Sequence, residues 1–230
     1  DVKVDYHVHT SEERDVAKSI VAHSPEIHHD LIVLCTHGRG GLRDFLFGSI
    51  AQQVIALGEI PVLLIRPNEA SSPQECHCGR LLAPLDGNPE HEQGLPLAIQ
   101  LSHDCGASLH LVMVIPTYGA LKGEQRAASR LMPGTTAAVL DLAEQGGEEY
   151  LHQKLTELKP EEIQVSAEVR RGEPAEAVVE AARRAGADLI VLGTHGRAGM
   201  DAFWSGSVTP RISSLWEKPI LLVPVVTDQE

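Results

Sequence analysis

One stretch of this chain occurs twice, and that repeat limits the fold more than any other feature. Residues 30–67 open with DLIVLCTHGRGGLRDFLFGS, and residues 188–225 open with DLIVLGTHGRAGMDAFWSGS. The two align without a gap at an offset of 158, with 18 of 38 positions identical. Likeness of that degree marks two copies of one structural unit. Each copy carries an apolar strand-like run, Thr-His-Gly-Arg, a Gly-Ser pair, a helix-like segment and a second apolar run. At the strand end the copies part: the second has Gly193 and the first has Cys35.

The second copy reads as a complete α/β unit. Gly79–Leu85 is a short apolar run that ends at Asp86-Gly87, a strand and a turn. Pro89 to about Cys105 has helical spacing of Leu95, Ala98 and Leu101. A buried strand follows over 107–115, then a polar connection over 116–134 that reads as a long mobile loop. A long helix is expected from Thr135 to about Leu158, with Thr135 or Thr136 near its N-cap. Next come a strand over 163–169 and a helix over 173–185 with Pro174 in its first turn and Gly186 after its end. A strand over 188–193, a helix opening near Ser205 or Gly206 and a last strand over 219–225 complete the unit. Strands alternating with helices imply a parallel sheet with helices on both faces.

The first copy is shorter. Val2–Val8 is similar to the strand at 163–169, and Glu12–His23 to the helix after it. Then come a strand over 31–35, a helix from Gly48 and the run 61–65, with nothing that corresponds to residues 79–160. In a doubly wound sheet the two missing strands are the central ones. The expectation is therefore further sequence before Asp1 or, failing that, strand exchange between chains. The organisation predicted is a partial unit over 1–67, a polar linker over 68–78 and a complete unit over 79–226.

The loop Gly193-Thr-His-Gly196, nine residues, Gly206-Ser207 starts where a strand ends and finishes where a helix begins. Ligands of doubly wound sheets bind at that edge. Glycines there allow a sharp turn and close backbone approach. Gly206-Ser207 presents free amides at a helix N-terminus, which suits an anion. Asp86 ends the first strand beside the same edge, where a carboxylate accepts from a ribose hydroxyl or holds a metal ion next to phosphates. A lone Gly-x-x-Gly is most often only a tight turn. The full pattern with Asp86 upstream is far more specific.

On these residues the chain resembles a tandem member of the universal stress protein family, whose nucleotide signature is Gly-two-Gly-nine-Gly-Ser/Thr with an aspartate after the first strand. The resemblance covers 2–67 and 79–226. It implies a five-stranded parallel α/β sheet of order 3-2-1-4-5, with ATP as the expected ligand, with or without Mg2+. Carried over residue by residue, it implies Pro84 and Asp86 at the first strand and Val114 on the adenine side. It implies Leu192 and Gly193 at the end of strand four, His195 and Gly196 in the loop, and Gly206, Ser207 and Val208 around the phosphates. Arg197 is an added phosphate contact, since its guanidinium forks onto oxygens, or a solvated side chain. Cys35 in place of the first glycine puts nucleotide binding by the first copy in doubt. The resemblance also implies that the edge strands 61–65 and 219–225 pair antiparallel as an internal pseudo-dimer, with homodimerisation open.

The remaining features narrow the class. A net charge of −13 opposes binding to nucleic acid or an anionic membrane surface. No apolar run approaches the ~20 residues of a membrane span. Four cysteines form no dense framework, and a reducing cytoplasm is the expected location. His7 and His9 share one face of a strand and read as a surface pair. Cys76-His77-Cys78 has poor zinc spacing and reads as linker. His37 and His195 recur in both copies and read as loop-shaping residues, since no orienting partner is evident. Three functions fit: a nucleotide-binding stress or signalling module; a slow ATPase or phosphotransferase using Asp86 and a divalent metal; and an interaction protein that binds no nucleotide.

Overall fold

The computed structural model describes residues 3–6, 8, 16–26, 28–35, 49–66, 77–121, 123–194 and 208–224. Residues 16–66 contribute α1 (Val16–Glu26), β1 (Ile32–Cys35), α2 (Ser49–Leu57) and β2 (Val62–Ile65). The second copy contributes β3 (Arg80–Leu85), α3 (Gly94–Cys105), β4 (Ser108–Pro116), α4 (Gly123–Leu131) and α5 (Pro133–Glu157). It continues with β5 (Val165–Gly172), α6 (Pro174–Ala185), β6 (Leu189–Thr194), α7 (Val208–Leu215) and β7 (Ile220–Pro224).

All seven strands join one sheet, in the order β1-β2-β7-β6-β3-β4-β5. Within the second copy the order is 3-2-1-4-5 and every pairing is parallel. The two copies meet at one antiparallel seam, β2 against β7, with Val62 opposite Leu222 and Leu64 opposite Ile220. The runs PVLLI and PILLV that looked like edge strands are thus internal. Each covers the other's unpaired N–H and C=O groups, which would otherwise template aggregation.

Helices bury both faces of the sheet across β7, β6, β3 and β4, which explains why those strands read as continuous apolar runs, whereas β1 is covered on one face only and Val33 on its other face is 53% exposed. One core lies under α1, α2, α6 and α7 and runs across the seam, holding Val54 and Leu64 together with Ile190, Ile212 and Leu222. The other lies under α3 and α5 and holds Leu81, Leu109, Leu151 and Val191. Helix ends follow local chemistry. Glu173 accepts from the Glu176 amide at the start of α6 (3.1 Å), and Gly186 ends that helix in the left-handed region (φ 64°).

Three expectations need correction. Residues 3–6 and 8 are not a strand, and Val4, Tyr6 and Val8 are more than four-fifths exposed. Their counterpart β5 pairs with β4, and among the described residues up to 66 the strands are β1 and β2, with no equivalent of β4. The stretch 116–134 is not a long loop, because α4 occupies 123–131. Its prolines and glycines sit at the ends, while Gln125–Leu131 is made of good helix formers. Leu121 is buried at its start and the Tyr118 hydroxyl donates to the Ser129 carbonyl. Helix α5 starts two residues before Thr135, with Met132 at the N-cap and Pro133 in the first turn. Thr136 Oγ1 donates back to the Met132 carbonyl instead of capping (3.0 Å).

Candidate functional site

The carboxyl ends of β3, β4 and β6 meet the first turns of α6 and α7 around a cleft of about 290 Å3. Pro84, Leu85 and Asp86 come from the end of β3, Val114 from β4, and Leu192 and Gly193 from β6. Pro174 and Val178 of α6 and Thr209 and Ile212 of α7 form the opposite wall, with Val208 at the mouth. Val114, Val178, Leu192 and Ile212 give the cleft an apolar floor. Asp86, His91 and Glu92 give it a polar rim. The N-terminus of α7 opens on the cleft, and a helix dipole favours an anion at that end.

Asp86 is held before any ligand arrives. Its Oδ1 accepts from the Asn88 amide at 2.9 Å, closing a turn around Gly87. Its Oδ2 lies 2.5 Å from His91 Nδ1. Asn88 Nδ2 lies 3.2 Å from His91 Nε2. The ring therefore carries its proton on Nδ1, donates to Asp86 and accepts from the Asn88 amide at Nε2. A carboxylate has about four acceptor positions, so each oxygen of Asp86 keeps capacity for a hydroxyl donor.

Glu92 ties the rim to the long helix. Its Oε1 accepts from the Tyr150 hydroxyl at 2.5 Å, and its Oε2 pairs with Lys154 Nζ at 2.8 Å. Lys154 also pairs with Glu157 at 3.0 Å. Burial, followed by the bond to Glu92, pushes the Tyr150 phenol well above its ordinary range. The bond to Glu92 is the main reason that the Lys154 ammonium is raised as well.

Six of the eleven residues read from the sequence line this cleft: Pro84, Asp86, Val114, Leu192, Gly193 and Val208. The other five, His195, Gly196, Arg197, Gly206 and Ser207, lie outside the described residues. His91, Glu92, Val178, Thr209 and Ile212 were not singled out from the sequence. For Val178 and Ile212 the signal was their apolar place in helices that follow the two strands. For His91 and Glu92 the signal was position, five and six residues after Asp86, in a segment that reads only as helix.

Fold and cleft define a doubly wound α/β protein with its candidate ligand site at the switch in strand order. The model of the universal stress protein family matches residues 3–66 and 78–224, and the chain belongs to that family. A universal stress protein of Mycolicibacterium smegmatis is 26% identical over 201 residues, covering 84% of this chain and 61% of its own length. One from Mycobacterium tuberculosis is 25% identical over 195 residues with the same coverage. The chain thus spans about three-fifths of the length of these relatives. The crystal structure of a universal stress protein from Archaeoglobus fulgidus superposes with a TM-score of 0.60 at 18% identity, covering 93% of this chain and 66% of that one.

Proposed function

We propose that this chain binds ATP, or a related adenine nucleotide, in the cleft of the second copy and serves as a stress-response or signalling module. The observation that carries this reading is the gathering of Asp86, Val114, Leu192, Gly193 and Val208 around one cavity at the carboxyl edge of the sheet. The residues suit the ligand. The apolar floor takes the adenine against Val114, and Asp86 accepts from a ribose hydroxyl. The phosphates extend toward the start of α7, where Gly206 and Ser207 precede Val208 in sequence. A volume of about 290 Å3 sits at the low end for small-molecule sites. It suits a nucleoside whose phosphates lie outside the floor, with Mg2+ carried by those phosphates.

Both carboxylates of the rim already accept hydrogen bonds, Asp86 from Asn88 and His91 and Glu92 from Tyr150 and Lys154. That favours retention of the nucleotide over its hydrolysis. Among the described residues up to 66 no strand corresponds to β3 or β4, so the proposal is one nucleotide per chain.

The test is to denature the purified protein, identify released nucleotide by chromatography and titrate the emptied protein with ATP and Mg2+ by calorimetry. The expected result is about one ATP per chain, with affinity down roughly 10-fold or more in Asp86→Ala, as for a lost hydrogen bond to a charged group. Gly196→Val should abolish retention. Absence of both released nucleotide and calorimetric binding in the wild-type chain would overturn the reading.

A further inference from the structure

The amino-terminal edge of the same sheet, opposite the nucleotide cleft, carries a second cavity of about 450 Å3. Arg80, Ser108, His110, Ser166, Glu168 and Arg184 line it. Sheet register brings three of them together. His110 on β4 lies directly opposite Ser166 on β5, and Glu168 is two residues further along β5 on the same face. Ser166 Oγ is 2.8 Å from His110 Nδ1, and His110 Nε2 is 3.2 Å from Glu168 Oε1. Arg184 Nη2, from the last turn of α6, donates to the same Oε1 at 2.9 Å.

The direction of these bonds follows from the groups. An ionised Glu168 only accepts, so His110 Nε2 carries the proton. Nδ1 of the neutral ring then holds the lone pair, and the Ser166 hydroxyl is its donor. Acid, imidazole and hydroxyl stand in the order that activates a serine in unrelated folds. The imidazole is only 18% exposed and Glu168 30%, while Ser166 is open to the cavity. Arg184 pairs with Glu168, and Arg80, whose guanidinium bonds the Ala185 carbonyl at 3.3 Å, lines the same cavity, so the lining carries one more positive than negative side chain on a chain of net charge −13.

We propose that Ser166, His110 and Glu168 form a nucleophilic triad that cleaves small esters bearing an anionic group. Ser166 Oγ attacks the carbonyl carbon while His110 Nδ1 takes the hydroxyl proton. The ester C–O bond breaks, and the departing alkoxide takes that proton from His110. Water then attacks the acyl-serine, giving its proton to Nδ1, and the acid leaves as Ser166 is restored. The sum is ester plus water to acid plus alcohol. Ser166 and His110 are the catalytic residues. Glu168 is a positioning residue that holds the ring through Nε2. Arg80 and Arg184 supply the positive charge that draws an anionic substrate. The site is independent of the nucleotide reading, since it shares none of the cleft residues.

The experiment treats the whole chain with a fluorophosphonate probe, in which serine displaces fluoride from phosphorus, and maps the adduct by mass spectrometry. Hydrolysis of p-nitrophenyl acetate and of the p-nitrophenyl monoester of succinate is followed in parallel. The expected adduct is on Ser166, and the anionic ester is the faster substrate. Both Ser166→Ala and His110→Ala lose about 100-fold in rate, the size of a general-base contribution. Glu168→Gln lowers kcat with KM little changed. Ser166→Ala removes one exposed hydroxyl and keeps the fold, so its result is read even if His110→Ala does not fold. Labelling of Ser166 no faster than other exposed serines, or hydrolysis by Ser166→Ala at the wild-type rate, overturns the proposal.

Discussion

Gly94, the first residue of α3, approaches the end of β6 so closely that a Cβ built on it would lie 3.2 Å from the Gly193 nitrogen and 3.7 Å from its Cα. The first glycine of the loop signature therefore has a packing partner in α3. Gly94→Val is expected to push on the strand end that borders the cleft. Overpacking of this kind costs about 1–3 kcal/mol. The variant should melt lower and bind nucleotide more weakly, as read by thermal denaturation and calorimetry. A melt and an affinity both equal to wild type would mean that α3 shifts away freely.

The same contact accounts for Cys35 in the first copy. Strand alternation points position 193 toward the face covered by α3, the face that holds Leu189 and Val191. Cys35 occupies the matching place on β1, is exposed, and has no counterpart of α3 over it among the described residues up to 66. A side chain is thus tolerated there. Gly193→Cys should destabilise the protein clearly, whereas Cys35→Gly should cost no more than about 1 kcal/mol, the price of glycine in a strand. Equal losses in the two melts would remove the packing account of this difference.

What the sequence made legible were the features that the repeat and the strand pattern carry. The gapless copies gave β1, β2, β6 and β7 within a residue or two, and Asp86, Val114 and Gly193 fell on one edge because strand ends converge there. The rest depended on contacts that residue pattern does not encode. Helix α4 was hidden because the prolines and glycines around Gln125–Leu131 dominate the local signal, and its place is fixed by packing on α5 and by the Tyr118 bond to Ser129. Gly94 looked like an ordinary residue within a helix until the distance to Gly193 was known. The Asp86–Asn88–His91 cycle and the Ser166–His110–Glu168 chain rest on a turn and on a cross-strand register, and neither is visible as a spacing.

At the seam between the copies, Leu64 and Leu222 are each 1% exposed and sit in one core with Val54 and Ile212. Arg66 Nη2 adds a bond across the copies to the Ser213 carbonyl at 2.5 Å. Leu64→Ala is expected to cost about 2–5 kcal/mol, the range for a fully buried leucine. Because the core is continuous across the seam, unfolding should stay a single transition in chemical denaturation. Two separated transitions in the wild-type chain would show that the copies are stabilised independently.

The Glu92 cluster sets a limit on the alkaline side. The Tyr150 phenol, ordinarily near 10.0, and the Lys154 ammonium, ordinarily near 10.5, are both raised in the folded chain. A raised group holds its proton more tightly when folded, so its contribution is complete below the unfolded value and is lost as pH climbs above it. Wild-type stability should therefore decline above about pH 10. Tyr150→Phe leaves Glu92 with Lys154 but removes the phenol bond. At pH 7 it should cost about 1–2 kcal/mol, discounted for the partial exposure of the site. The gap between wild type and variant should then narrow between about pH 10 and pH 12, as the wild-type chain loses what the variant never had. Denaturant titrations of both proteins at pH 7, 9 and 11 measure this directly. A gap that stays constant to pH 11 would mean that the Tyr150 hydroxyl does not donate to Glu92 in the folded protein.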